Sequence, residues 1–198
     1  MSKLENTRRS ISGRIAPPLA NLLAKTRITP NGLTWTGFLV NVVAAALILT
    51  GHLLAAGITM IVAGLFDMLD GALARATGKV TRFGAVLDST LDRVCEAMLL
   101  LALIFVFARD NQAVWSLVTG IALVGSILVS YIRARVEGLG VECKAGVFTR
   151  PERVAILALG LLLSSVNYAL VIAVGLLALL SLFTVIERLV YARRQLKD

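Results

Sequence analysis

From Leu33 onward the chain alternates long apolar runs with short polar breaks. The runs extend from near Leu33 to Thr50, Leu53 to Ala74, Phe83 to Ala108, Ala113 to Ile132, Val154 to Ser164 and Tyr168 to Tyr191. Most approach the roughly 20 residues that carry a helix across the hydrocarbon core of a bilayer; the fifth is shorter. The pattern predicts six transmembrane helices. The breaks at Gly51-His52, Asp110-Asn111-Gln112 and Ser164 to Asn167 are brief, so consecutive helices are expected to be antiparallel neighbours. Ahead of the first run, Leu4 to Lys25 places Ile11, Ile15, Leu19, Leu22 and Leu23 at helical spacing among Arg8, Arg9, Arg14 and Lys25. That pattern predicts an amphipathic helix lying in the membrane interface, interrupted at Pro17-Pro18. With no internal repeat, the expected fold is an all-α membrane protein forming one domain over 1–198. It has a juxtamembrane helix at 4–25 and a six-helix bundle over about 31–192.

Composition strengthens the membrane reading. Of 198 residues 58% are hydrophobic, mean hydropathy is +0.84, and only 16% are charged, against about a quarter in an ordinary soluble domain. The net charge of +8 comes from 20 Lys+Arg and 12 Asp+Glu. These basic residues cluster at the ends of apolar runs and are not interleaved with aromatics. Anionic headgroups and phosphate-bearing substrates are therefore the expected partners, and nucleic acid is not. Arg75, Lys79 and Arg82, the segment from Arg133 to Arg153, and the tail with Arg188, Arg193, Arg194 and Lys197 all fall on one side with the N-terminal segment. The opposite side offers essentially Arg109. Basic-residue counting then predicts a multi-pass protein of the plasma membrane with both termini and the site cytoplasmic. The charged segment before Pro30 does not read as a cleavable signal. Cys95 within a run and Cys143 in a basic loop suggest neither a disulfide nor a metal site, and His52 reads as a solvated turn residue.

The chemistry lies in the acids. Asp67 and Asp70 are three apart and Asp88 and Asp92 four apart, so each pair shares a helical face. The pairs sit near the ends of two antiparallel neighbours, where four carboxylates can converge. Clustered negative charge near a low-dielectric region demands protons or cations. Oxygen ligands without His or Cys select hard ions such as Mg²⁺ or Mn²⁺, and two such ions can clamp a diphosphate. Gly71, Ala74 and Gly84 allow close approach of backbone or ligand, and Arg75 offers a fixed cation to phosphate oxygens. Arg93 and Glu96, three apart, read as a structural pair.

These residues resemble the CDP-alcohol phosphotransferase family, whose signature D-x2-D-G-x2-A-R-x8-G-x3-D-x3-D is matched at every fixed position from Asp67 to Asp92. The resemblance implies that Asp67, Asp70 and Asp88 hold two metal ions. Asp92 would be the base that deprotonates the attacking alcohol, and a metal contact as well. Asn31, Thr34, Gly71, Ala74, Arg75, Thr81 and Gly84 would line the site of the CDP-lipid. It further implies a homodimer.

One branch is resembled most, the prokaryotic phosphatidylinositol-phosphate synthases and related archaeal enzymes with an ether-lipid donor. The resemblance rests on the run from Thr81 to Arg93, on Ser130-Tyr131-Ile132-Arg133-Ala134-Arg135 and on Arg150-Pro151-Glu152-Arg153. The implied acceptor is inositol 1-phosphate. Guanidinium groups of Arg133, Arg150 and Arg153, with Arg135 and Arg188, can hold its phosphate bidentately. Arg133 stands where the bacterial synthases commonly have lysine, so the charge is kept while the geometry differs. The same chemistry with glycerol 3-phosphate or a neutral alcohol such as serine is the alternative. A cation-coupled carrier is a distant one, since the chain lacks the repeat symmetry and broken helices expected of it.

Overall fold

A computed structural model of the chain describes Pro18, residues 22–24, Thr26, residues 28–143 and residues 145–196. The juxtamembrane helix expected over 4–25 falls almost wholly outside them. Among the described residues there are six helices: α1 (Pro30–Leu49), α2 (Leu53–Ala76), α3 (Arg82–Arg109), α4 (Ala113–Glu137), α5 (Arg150–Leu162) and α6 (Ala169–Gln195). No strand occurs among the described residues.

Local signals set the ends. Thr29 caps α1, its hydroxyl accepting the Gly32 N–H at 3.1 Å, and Pro30 occupies the first helical position, where no donor is needed. At the other end His52 N–H reaches back to the Leu47 carbonyl at 2.9 Å and Gly51 N–H to Ile48 at 3.0 Å. This Schellman closure requires the left-handed conformation that Gly51 adopts, φ 84°. Gly78, φ 65°, closes α2 in the same way and turns the chain toward α3.

Helices α1, α2, α4 and α6 are long and apolar enough to cross a membrane. The other two qualify the six-run reading. Helix α3 has 28 residues, about 42 Å of rise, but its first half carries Asp88, Asp92 and Arg93, with Glu96 just beyond. Helix α5 has only 13 residues, about 20 Å, short of the roughly 30 Å hydrocarbon thickness.

The chain falls into two compact units. One comprises the chain up to Val43 with Thr59–Cys95, and the other Ala44–Ile58 with Glu96 onward. In the first, α1 and α2 approach closely at Gly37, where an added Cβ would stand 3.3 Å from that of Phe66. In the second, α4 packs on α6 through Ala122, Gly125, Ser126 and Val129 against Ala178, Ser181 and Val185, all buried. Small residues let these backbones come together, and a Cβ at Gly125 would lie 2.9 Å from that of Ser181. The opposite face of α4 exposes Val114, Leu117, Ile121, Val124, Leu128 and Tyr131. Such a stripe is costly in water and neutral against lipid tails.

Candidate functional site

In the first unit the polar residues of α2 and α3 meet. Carboxylate oxygens of Asp67, Asp88 and Asp92 lie within 4.8 Å of one another, and each residue is half-buried. The i, i+4 spacing of Asp88 and Asp92 puts both on one face of α3, and the Gly78 turn allows α3 to return beside α2. An ion with oxygen ligands at about 2.1 Å holds opposite ligands about 4.2 Å apart, so the cluster fits a hard divalent cation with little contraction.

Asp70 is placed differently. Only 5% exposed, it accepts the Thr34 hydroxyl at Oδ2, at 2.6 Å, while the charges of Asp88 and Asp67 act on it directly. Thr34 also lies 3.1 Å from the Pro30 carbonyl, but its single hydrogen has the shorter contact with the carboxylate. The first turn of α1 thus orients an acid of α2.

The remaining residues named for the CDP-lipid gather in two places. The Arg75 guanidinium lies over Gly71, one helical turn away, with Nη1 3.4 Å from where a Cβ would stand. At Gly84 an added Cβ would meet Thr81 Oγ1 at 2.9 Å and Asn31 Oδ1 at 3.3 Å. Thr81 is also the cap of α3, accepting the Gly84 N–H at 2.9 Å. Ala74 contributes its carbonyl to the closure of α2, accepting from Lys79 at 3.0 Å.

The arginines occupy the second unit. Arg153 and Arg188 are buried, at 1% and 3% exposure. Arg153 forms a two-bond fork with Glu96, Nε to Oε1 at 2.6 Å and Nη2 to Oε2 at 2.8 Å. Glu96 therefore pairs across helices, not with Arg93 as its spacing suggested; Arg93 donates to the Ser89 carbonyl one turn back. Arg188 donates to the carbonyls of Ala145, at 3.1 Å, and Val129, and the charges of Arg133 and Arg153 act on it. Arg133 is half-exposed and pairs with Glu137 at 2.8 Å. Arg135 is exposed in the last turn of α4. Arg150 opens α5, where the Glu152 carboxylate accepts the Thr149 N–H at 2.9 Å. Sequence reasoning missed Glu96 as the partner of Arg153, 57 positions away. It also missed Glu187, which accepts the Val147 N–H at 3.3 Å and ties the basic loop to α6. The Arg133–Glu137 pair was open to discovery from its i, i+4 spacing.

The sequence model of the family described as CDP-alcohol phosphatidyltransferase matches residues 27–186. A phosphatidylinositol phosphate synthase of Mycobacteroides abscessus is 40% identical over 187 residues, covering 91% of this chain and 84% of the relative. An archaetidylinositol phosphate synthase of Pyrococcus horikoshii is 40% identical over 191 residues, covering 94% and 97%. The phosphatidylinositol phosphate synthase of Mycobacterium tuberculosis, solved with CDP-DAG bound, superposes with a TM-score of 0.83 at 36% identity, covering 91% of this chain and 94% of the other. In complex with manganese and citrate it gives 0.82 at 37% identity, covering 90% and 88%.

Proposed function

Because the chain belongs to the CDP-alcohol phosphatidyltransferase family, we propose that it transfers the phosphatidyl-type group of a CDP-lipid to inositol 1-phosphate, releasing CMP. The observation that carries this reading is the convergence of the Asp67, Asp88 and Asp92 carboxylates beside the Asp70–Thr34 pair. Asp67, Asp70 and Asp88 would hold two Mg²⁺ or Mn²⁺ ions, with Asp92 touching one. Those ions would neutralise the diphosphate and make its lipid-bearing phosphorus a better electrophile.

The chain's own residues do the rest. Asp92 accepts the proton of the acceptor hydroxyl as its oxygen bonds to the lipid-bearing phosphorus; the bond from that phosphorus to the CMP oxygen breaks, and CMP leaves with the electron pair. Arg75, above the bare backbone of Gly71, steadies the diphosphate. Asn31, Thr81, Gly84 and Ala74 leave room for the cytidine end. Arg133, Arg150 and Arg153, with Arg135 and Arg188, hold the acceptor phosphate and so bring the right hydroxyl to bear. Around this chemistry we read a single domain with six spans, an interfacial helix before them, both termini and the site cytoplasmic, and two copies per assembly. The strong one-sided placement of Lys and Arg supports that orientation.

The test is CMP release by purified protein given CDP-diacylglycerol or CDP-archaeol and a panel of acceptors. Inositol 1-phosphate should be used well and free inositol poorly, since free inositol leaves the guanidinium groups without their anion. Equal use of glycerol 3-phosphate or free inositol would overturn the acceptor assignment and leave the CDP-lipid chemistry standing.

A further inference from the structure

Arg153 lies in the first turn of α5 and is the largest fully buried side chain among the described residues. Its fork with Glu96, itself 7% exposed, engages Nε and Nη2. The third nitrogen, Nη1, points away from that carboxylate; it is buried and has no hydrogen-bond partner among the described residues. A buried charged donor with no acceptor is expensive, and an ion pair serving only to staple α3 to α5 gains nothing by keeping one. Three guanidinium groups gather here, for the charges of Arg133 and Arg153 act on the buried Arg188, opposed in part by Glu137 and Cys143.

From this arrangement we infer that Glu96 is a positioning residue for acceptor recognition: its carboxylate locks the Arg153 guanidinium so that Nη1 presents its two hydrogens to the acceptor's phosphate. The inference rests on the reading of the arginines as the acceptor-phosphate site. Glu96 does not touch the phosphate itself. It fixes the plane of a group that would otherwise turn about its last bonds, and a pre-oriented fork loses less freedom when the anion arrives. It also offsets one of the three positive charges, which keeps the empty site tolerable in a low-dielectric setting.

The experiment measures CMP release with inositol 1-phosphate and CDP-diacylglycerol varied separately in wild type, Glu96→Gln, Glu96→Asp and Arg153→Gln. In Glu96→Gln one acceptor oxygen becomes an NH2 facing a guanidinium N–H, so the fork breaks. KM for inositol 1-phosphate should rise about tenfold, the loss of one charge-assisted hydrogen bond. KM for the CDP-lipid and kcat at saturating acceptor should stay within about threefold. A staple alone would instead lower the active fraction or shift all constants together, and that result would overturn the inference. If Glu96→Gln fails to fold, as judged by loss of CDP-lipid binding, Glu96→Asp decides. Its retained but shorter carboxylate should give an intermediate acceptor KM at unchanged donor KM, and a wild-type acceptor KM would overturn the inference. Arg153→Gln separates the two layers. If it leaves the acceptor KM unmoved, the acceptor-site reading itself fails; if it raises that KM while neither Glu96 variant does, only the role of Glu96 fails.

Discussion

Replacing Thr34 with valine removes one hydroxyl and almost no volume, and the structure says where the loss is felt. The Thr34 Oγ1 to Asp70 Oδ2 bond is 2.6 Å, short for a hydroxyl donor and typical of one bound to a carboxylate. Asp70 is 5% exposed, so water is poorly placed to replace the lost donor. A hydrogen bond to a charged group contributes about 1.5–3 kcal/mol, equivalent to roughly 10–150-fold in an equilibrium constant. Much of that orientation is lost to the metal site if Asp70 is a ligand, and removal of such a supporting contact typically costs about 10–100-fold in metal affinity. In Thr34→Val, the Mg²⁺ concentration giving half-maximal CMP release should therefore rise at least about tenfold. Direct Mn²⁺ binding followed by electron paramagnetic resonance should weaken in parallel. Thr34→Ser keeps the donor and should remain within about threefold of wild type. An unchanged metal dependence in Thr34→Val, or a serine variant as impaired as the valine one, would refute the role assigned to this bond.

Three further outcomes follow from the same geometry. Asp67→Asn and Asp88→Asn each lose a charged oxygen but little volume, so turnover should vanish while the protein stays membrane-inserted and folded. Full wild-type activity in excess EDTA would rule out the metal site. Asp92→Asn should still bind CDP-lipid, through the metal held by Asp67, Asp70 and Asp88, yet turn over about 10²–10⁴-fold more slowly, the usual cost of losing a general base; loss of donor binding along with activity would make Asp92 chiefly a ligand. Gly125→Leu forces a side chain into the α4–α6 contact, where even a Cβ would stand 2.9 Å from that of Ser181. Overpacking of this kind costs about 1–3 kcal/mol, so thermal unfolding in detergent should move down by several degrees, and an unshifted transition would show that the helices separate there without penalty.

What could be read along the chain was whatever depends on near neighbours. Apolar runs and turn residues gave the order of the helices, because a helix in lipid satisfies its own backbone and needs only length and hydropathy. Helical period placed Asp67 with Asp70 and Asp88 with Asp92, and the fixed spacing from Asp67 to Asp92 carried the family. The same local logic predicted six spans, of which four helices are long and apolar enough to cross a membrane, while α5 has only 13 residues and α3 carries Asp88 and Asp92. It could not say which carboxylates meet. Asp67, Asp88 and Asp92 come together, whereas Asp70 is turned to Thr34, 36 positions away. Nor could it find the partner of Arg153: spacing offered Glu96 to Arg93, three residues off, and packing gave it to an arginine 57 residues distant. The reason is physical. Periodicity determines which face of its own helix a side chain occupies, but a buried charge takes the partner that helix packing brings within hydrogen-bonding distance, and only the tertiary structure decides which one that is.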